Sequence, residues 1–159
     1  MHHFVKSGLP FLCCIALGLL VASPLLAQQR EFYEIKEYHI SSADQEARLD
    51  AFLDNAYLPA LHRAGIEKVG VFKPVADADN AGEVVFVLIP FSSMQQFVAL
   101  PATLEADKRY RTAGKDVVEA PHDDPAYDRI ESTLLQAFEL MPNMEAPSYS
   151  NAPSERIYE

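Results

Sequence analysis

The order of segment types along the chain constrains the fold more than any other feature. Glu31 to Ile40 is rich in aromatic and β-branched residues and ends at Ser41-Ser42, so it reads as a strand. Ser42 and Gln45 have the three-residue spacing of a capping box. They open a helix in which Leu49, Phe52, Leu53, Ala56, Ala60, Leu61 and Ala64 recur every three or four positions until Gly65 closes it. Pro59 lies inside that pattern and is expected to bend the helix about one turn earlier. Ile66 to Phe72 and Glu83 to Pro90 are further strand-like runs, joined into a hairpin by the turn-rich Val75 to Gly82. Ser92 or Ser93 then caps a short helix through Met94, Phe97 and Val98, which Pro101 is expected to interrupt. A second piece runs from about Leu104 to Ala113, with Gly114 beyond its end. Asp116 to Glu119 is ambiguous. After turns at Pro121 and Pro125, Ile130 to Leu140 places Ile130, Ser132, Leu134, Gln136 and Phe138 on one face if extended. It reads as the closing strand, with a helix as the alternative.

Strand, helix, strand, strand, helix, strand is the ferredoxin-like βαββαβ arrangement, an α+β fold with an antiparallel sheet and its helices on one face. The opposite sheet face is left open, and an open apolar face needs a partner. Two such sheets packed face to face make an α/β barrel, either as a homodimer or as tandem modules of one chain. The Pro/Ser/Asn-rich 141–154 reads as a linker. Ile157-Tyr158-Glu159 echoes Phe32-Tyr33-Glu34, as the start of a second module at 155–159 would.

Residues 1–27 have the pattern of a secretory leader: His2, His3 and Lys6, then the apolar run Leu9 to Ala22, then Ser23 to Ala27. The run is broken by Pro10 and Gly18 and is shorter than the ~20 residues that span a bilayer, so no stable membrane anchor is expected. Cleavage after Ala27 would start the mature protein near Gln28, with residues 28–140 as its domain, in the periplasm or outside the cell. Both cysteines, Cys13 and Cys14, lie in the leader. Disulfides, thiolate metal sites and cysteine nucleophiles are therefore not expected after export. The net charge of −10, with Lys108, Arg109 and Arg111 interleaved with acids, argues against a nucleic-acid partner.

On the first strand, period two puts Glu34, Lys36 and Tyr38 on one face and Tyr33, Ile35, Glu37 and His39 on the other. If Tyr33 and Ile35 pack on the helices, the Glu-Lys-Tyr row points into the barrel. There it would bind a polar group, or serve as a structural ion pair and aromatic staple between the sheets. Glu34, Lys36 and Tyr38 are thus the ligand-binding candidates, with His39 added if strand twist brings it to the rim. No spacing brings His39 and His62 together, and His62 suits a helix C-terminus. His122-Asp123-Asp124 reads as a polar turn. Asp77 to Gly82 begins like a calcium loop but has Ala81 at its fifth place and Leu88 at its twelfth, where Glu is required. No metal or cofactor is expected. The chain has no phosphate loop, nucleophile elbow or zinc-protease helix.

Phe32 to Tyr38 (FYEIKEY), Leu58-Pro59-Ala60-Leu61 with Gly65, Val69 to Phe72, and Asp107 to Ala120 with Tyr110, Ala113 and Gly114 together resemble the NIPSNAP family over about residues 30 to 140. The resemblance implies a dimeric α/β barrel, often built from two tandem modules. Lys36 departs from the Arg usual there, replacing a bidentate fork by a point charge. The family implies no reaction. The expected role is an exported binding or interaction module that pairs sheet to sheet and takes a partner protein or a small apolar ligand. The alternative is a cofactor-free monooxygenase-like or lyase-like enzyme using the barrel cavity.

Overall fold

The computed structural model describes residues 29–145. The leader, most of the linker and the possible second-module start lie outside those residues. Four antiparallel strands run in the order β2-β3-β1-β4: β1 Phe32–His39, β2 Gly70–Phe72, β3 Val84–Phe91 and β4 Arg129–Gln136. Between β1 and β2 lie α1 Ala43–Phe52, a π-helical turn Leu53–Tyr57, and α2 Leu58–Arg63. Between β3 and β4 lie α3 Met94–Ala106, α4 Lys108–Ala113 and α5 Lys115–Val118. This is the ferredoxin-like topology expected from the segment order.

Both long helices begin as their sequences predict. Ser42 Oγ accepts from Gln45 N at 3.1 Å and Ser93 Oγ accepts from Gln96 N at 3.2 Å. The glutamine side chains return the bond one residue before the cap, to Ser41 N at 2.7 Å and Ser92 N at 2.8 Å. Two helix donors and the two backbone N–H groups just before the caps are thereby satisfied by two short motifs. The irregularity predicted before Pro59 is the π turn, and its cause is visible in the spacing. Leu49, Leu53, Tyr57 and Leu61 are all buried and all four apart, as are Phe52, Ala56 and Ala60. A four-residue step drifts by about 40° in an α-helix. One wider turn cancels the drift and keeps both rows on the core.

Two expectations fail. Pro101 does not interrupt α3, which runs through it to Ala106. Pro101 is exposed, so the lost hydrogen bond and the crowded ring fall on the solvent side. The break comes at Asp107, whose extended backbone (ψ 102°) starts a new helix and whose Oδ1 accepts from Arg109 N and Tyr110 N. Arg63 grips its other oxygen through Nε and Nη2 at 2.8 and 2.6 Å. The second strand is also shorter than expected. Ile66 is buried beneath the end of α2, its N–H bonded to Leu61 O, and pairing begins only at Gly70.

The core lies between the helices and the β1/β3 pair. Leu49, Leu61, Val85, Val87, Ile89 and Phe91 are its largest fully buried side chains. Each contributes about 1.5–3 kcal/mol relative to an exposed position. All eight residues of β4, by contrast, are exposed. The strand is held by its ladder to β1 and by flanking bonds, Asp128 N to His39 O and Ala137 N to Glu31 O. The buried Gln45 secures its approach, donating from Nε2 to Pro125 O and to Asp128 Oδ1.

Candidate functional site

Because the helices cover β3 and β1 but not β4, a groove of about 550 Å³ remains along the β1/β4 side of the helical layer. Its floor is the row Glu34, Lys36, Tyr38, with Ile130 of β4 beside it. This corrects the expected orientation of that row. The residues directly opposite it on β3 are Ile89, Val87 and Val85, all buried in the core, so Glu34, Lys36 and Tyr38 face the helices and not a second sheet. Period two identified which residues share a face. It did not identify which face is covered, because Tyr33 and Ile35 make the other side nearly as apolar.

The walls are apolar and aromatic: Phe52 and Tyr57 from the first helical segment, Phe97 and Leu104 from α3, Tyr110 from α4 and Tyr127 from the approach to β4. The rings fix one another. Phe52 and Tyr57 stack at 5.6 Å, Tyr57 and Tyr110 lie 6.2 Å apart, and Tyr38 meets Tyr127 edge-on at 5.5 Å. Gly114 lets α4 approach, since a Cβ there would lie 3.0 Å from the Phe52 ring and 2.9 Å from Tyr110 O.

In this apolar setting one ion pair stands at the floor. Lys36 Nζ lies 3.1 Å from Glu34 Oε1, and Ser132 Oγ donates to the same oxygen at 2.6 Å. Glu34 is 5% exposed; the Lys36 side chain retains 22%. Burial pushes the phenols of Tyr38, Tyr57 and Tyr110 above their ordinary value, with neighbouring rings adding to it. These hydroxyls therefore keep their protons and act as donors. Tyr33, on the other face, bonds Glu31 Oε2 at 3.0 Å. Among the described residues no protein group pairs with the hydroxyl of Tyr38, Tyr57, Tyr110 or Tyr127. At the mouth Glu105 and Arg111 add one charge of each sign.

His39, the fourth candidate, is not in the groove. It lies on the uncovered face with Glu37 and Glu131. His62 is exposed in the last turn of α2, and His122 and Asp123 are exposed before Asp124, which pairs with Arg48 at 3.0 Å. Tyr57, Tyr110 and Tyr127 were not among the site residues read from the sequence. They come from three separate elements, and no spacing links them. No described helix is long and apolar enough to cross a membrane.

No protein-family model matches the sequence, and no curated protein does. Solved structures do. Two crystal structures of Atu4242 from Agrobacterium tumefaciens superpose with TM-scores of 0.53 and 0.55, at 20% and 18% identity. They cover 71% and 73% of this chain and 99% and 96% of theirs. One of them is described as a NIPSNAP family protein with unknown function. Atu5224, a NIPSNAP family protein of the same organism, superposes at 0.53 with 13% identity, over 70% of this chain and 97% of its own. The fold is that of NIPSNAP family proteins. The resemblance read from Phe32 to Tyr38 and the later blocks thus has its counterpart in three dimensions, and the NIPSNAP fold accounts for nearly all of the described residues.

Proposed function

We propose that this chain is a NIPSNAP-like binding module that takes a small, largely apolar molecule with one hydrogen-bond-accepting head into the groove between sheet and helices. The observation that carries this is the buried Glu34–Lys36 pair on the floor of an aromatic groove whose four tyrosine hydroxyls have no protein partner. A volume of about 550 Å³ suits a ligand of modest size. Lys36 has donors left after its bond to Glu34, and tyrosines line the sides, so an acceptor or anionic head is matched. Binding is favoured over base catalysis because the floor carboxylate is engaged by both Lys36 and Ser132.

Export and sheet-to-sheet pairing belong to the same reading. The leader pattern supports the first. The uncovered face, with Phe72 55% and Leu135 44% exposed, supports pairing with a second copy or a tandem module. An intact mass of the protein as its cells export it, with light scattering on the same sample, tests both.

The groove is tested with an anionic aromatic fluorophore, anilinonaphthalene sulfonate. Saturable binding of one probe per chain is expected, lost in the charge-free pair Glu34→Gln/Lys36→Met and kept in Phe72→Ser on the opposite face. Loss in Phe72→Ser with retention in the pair variant would sink the proposal.

A further inference from the structure

On the uncovered face, Glu37 of β1 stands directly across from Glu131 of β4. Like charges so placed repel, which calls for a cation between them. His39, two residues along β1, shares that face. Its Nε2 lies 3.3 Å from Glu37 Oε1 and 3.2 Å from Glu131 Oε1. The nitrogen is shut off from solvent, yet it aligns a hydrogen bond with neither oxygen. An imidazolium satisfied by one carboxylate would point its N–H at that oxygen; here the nitrogen sits between two.

The three ligand atoms lie within 4.8 Å of one another. An ion bound tetrahedrally by imidazole and carboxylate at about 2.0–2.2 Å spaces its ligand atoms by about 3.3–3.6 Å. The two separations from the nitrogen, 3.3 and 3.2 Å, lie at and just below the short end of that range. We propose that Glu37, His39 and Glu131 form a binding site for a divalent transition-metal ion of the Zn2+ class. One nitrogen and two carboxylate oxygens suit such an ion better than Ca2+ or Mg2+, which take oxygen alone. Arg129 reaches the same oxygen from outside, its Nε and Nη2 2.9 and 2.8 Å from Glu131 Oε1, so the ion and the guanidinium would share that carboxylate. A ligating carboxylate is characteristically held in this way by a second partner. Two carboxylates against the single guanidinium of Arg129 supply the negative charge that a divalent ion needs. The site revises the expectation of no metal, and it was invisible in sequence because its third ligand comes from the far end of the domain.

Co2+ is the probe, because its visible absorption reports coordination and imidazole ligation. Titrated into the full chain after chelator treatment, it is expected to bind at one equivalent per chain, to be displaced by Zn2+, and to raise the melting temperature. His39→Gln and Glu131→Gln should each weaken binding by about tenfold or more. Neither should unfold the metal-free protein, since the cluster lies outside the core. Absence of saturable uptake, or uptake that survives His39→Gln at full affinity, overturns the site.

Discussion

Ser132 Oγ lies 2.6 Å from Glu34 Oε1, so the carboxylate at the floor of the groove is held by the edge strand as well as by Lys36 on its own strand. A buried charge with two partners tolerates loss of neither well. Lys36→Met should cost about 3 kcal/mol, the low end for breaking a buried pair, because Lys36 keeps some exposure. The double variant Glu34→Gln/Lys36→Met should return to within about 1 kcal/mol of the parent, since the uncompensated charge is gone. Urea unfolding measures both. A single variant as stable as the parent would show that Lys36 does not compensate Glu34.

The tyrosines set an alkaline limit. The phenols of Tyr38, Tyr57 and Tyr110 are raised above 10 in the folded state, first by burial, and Tyr33 is pushed up to about 12 by burial and its bond to Glu31. A group with a raised folded value contributes stability that is complete below its unfolded value and is lost as pH climbs above it. Above pH 10 the protein should therefore unfold cooperatively, with phenolate absorbance appearing in the same transition. Tyr57→Phe should move that transition to higher pH. Separate, gradual ionisation of all the tyrosines in a folded protein would contradict the burial described.

Asp107 sets the opposite limit. The backbone N–H of Tyr110 chiefly, then the Arg63 guanidinium and the N–H of Arg109, hold its carboxyl below the ordinary 3.8. A depressed folded value gives stability that is present above the unfolded value and lost as pH falls through the folded one. Asp107→Asn should thus melt below the parent at neutral pH, and the gap should shrink as pH drops beneath 3.8 and close once the carboxyl is protonated. A gap independent of pH would mean that the charge adds nothing to the cap.

Two glycines should respond to alanine for different reasons. At Gly114 the backbone is ordinary (φ −93°), but a Cβ would press on Tyr110 O, Phe52 and Ala56, so Gly114→Ala should cost about 1–3 kcal/mol and narrow the aromatic wall. At Gly65 nothing lies within 4 Å and φ is +79°, so Gly65→Ala should cost about 1 kcal/mol and Gly65→Asn less. Thermal melts of the three variants rank them. Equal losses at Gly65 for Ala and Asn would remove the conformational argument.

Local chemistry was legible in the sequence and tertiary choice was not. Ser42, Ser93 and Gly65 announce helix ends because a cap is a contact among near neighbours. Segment order gave the topology. The break at Asp107 instead of Pro101 depends on Arg63, supplied by another helix. The face of β1 that meets the helices depends on β3, since Tyr33 and Ile35 on one side and Tyr38 on the other are apolar alike. Half of the site follows from one strand's alternation, Glu34, Lys36 and Tyr38. Its walls required the fold.

β4 lies wholly exposed and yet serves both faces: Ser132 and Ile130 complete the groove, while Glu131 completes the cluster around His39. An edge strand with no buried side chain sits at the low end of local stability. Whatever settles on one face pays part of the cost of ordering that strand, and a second occupant on the other face pays less. Such linkage is reciprocal and needs no change of shape. The amide protons of β4 would register it, exchanging more slowly when either face is filled and most slowly when both are.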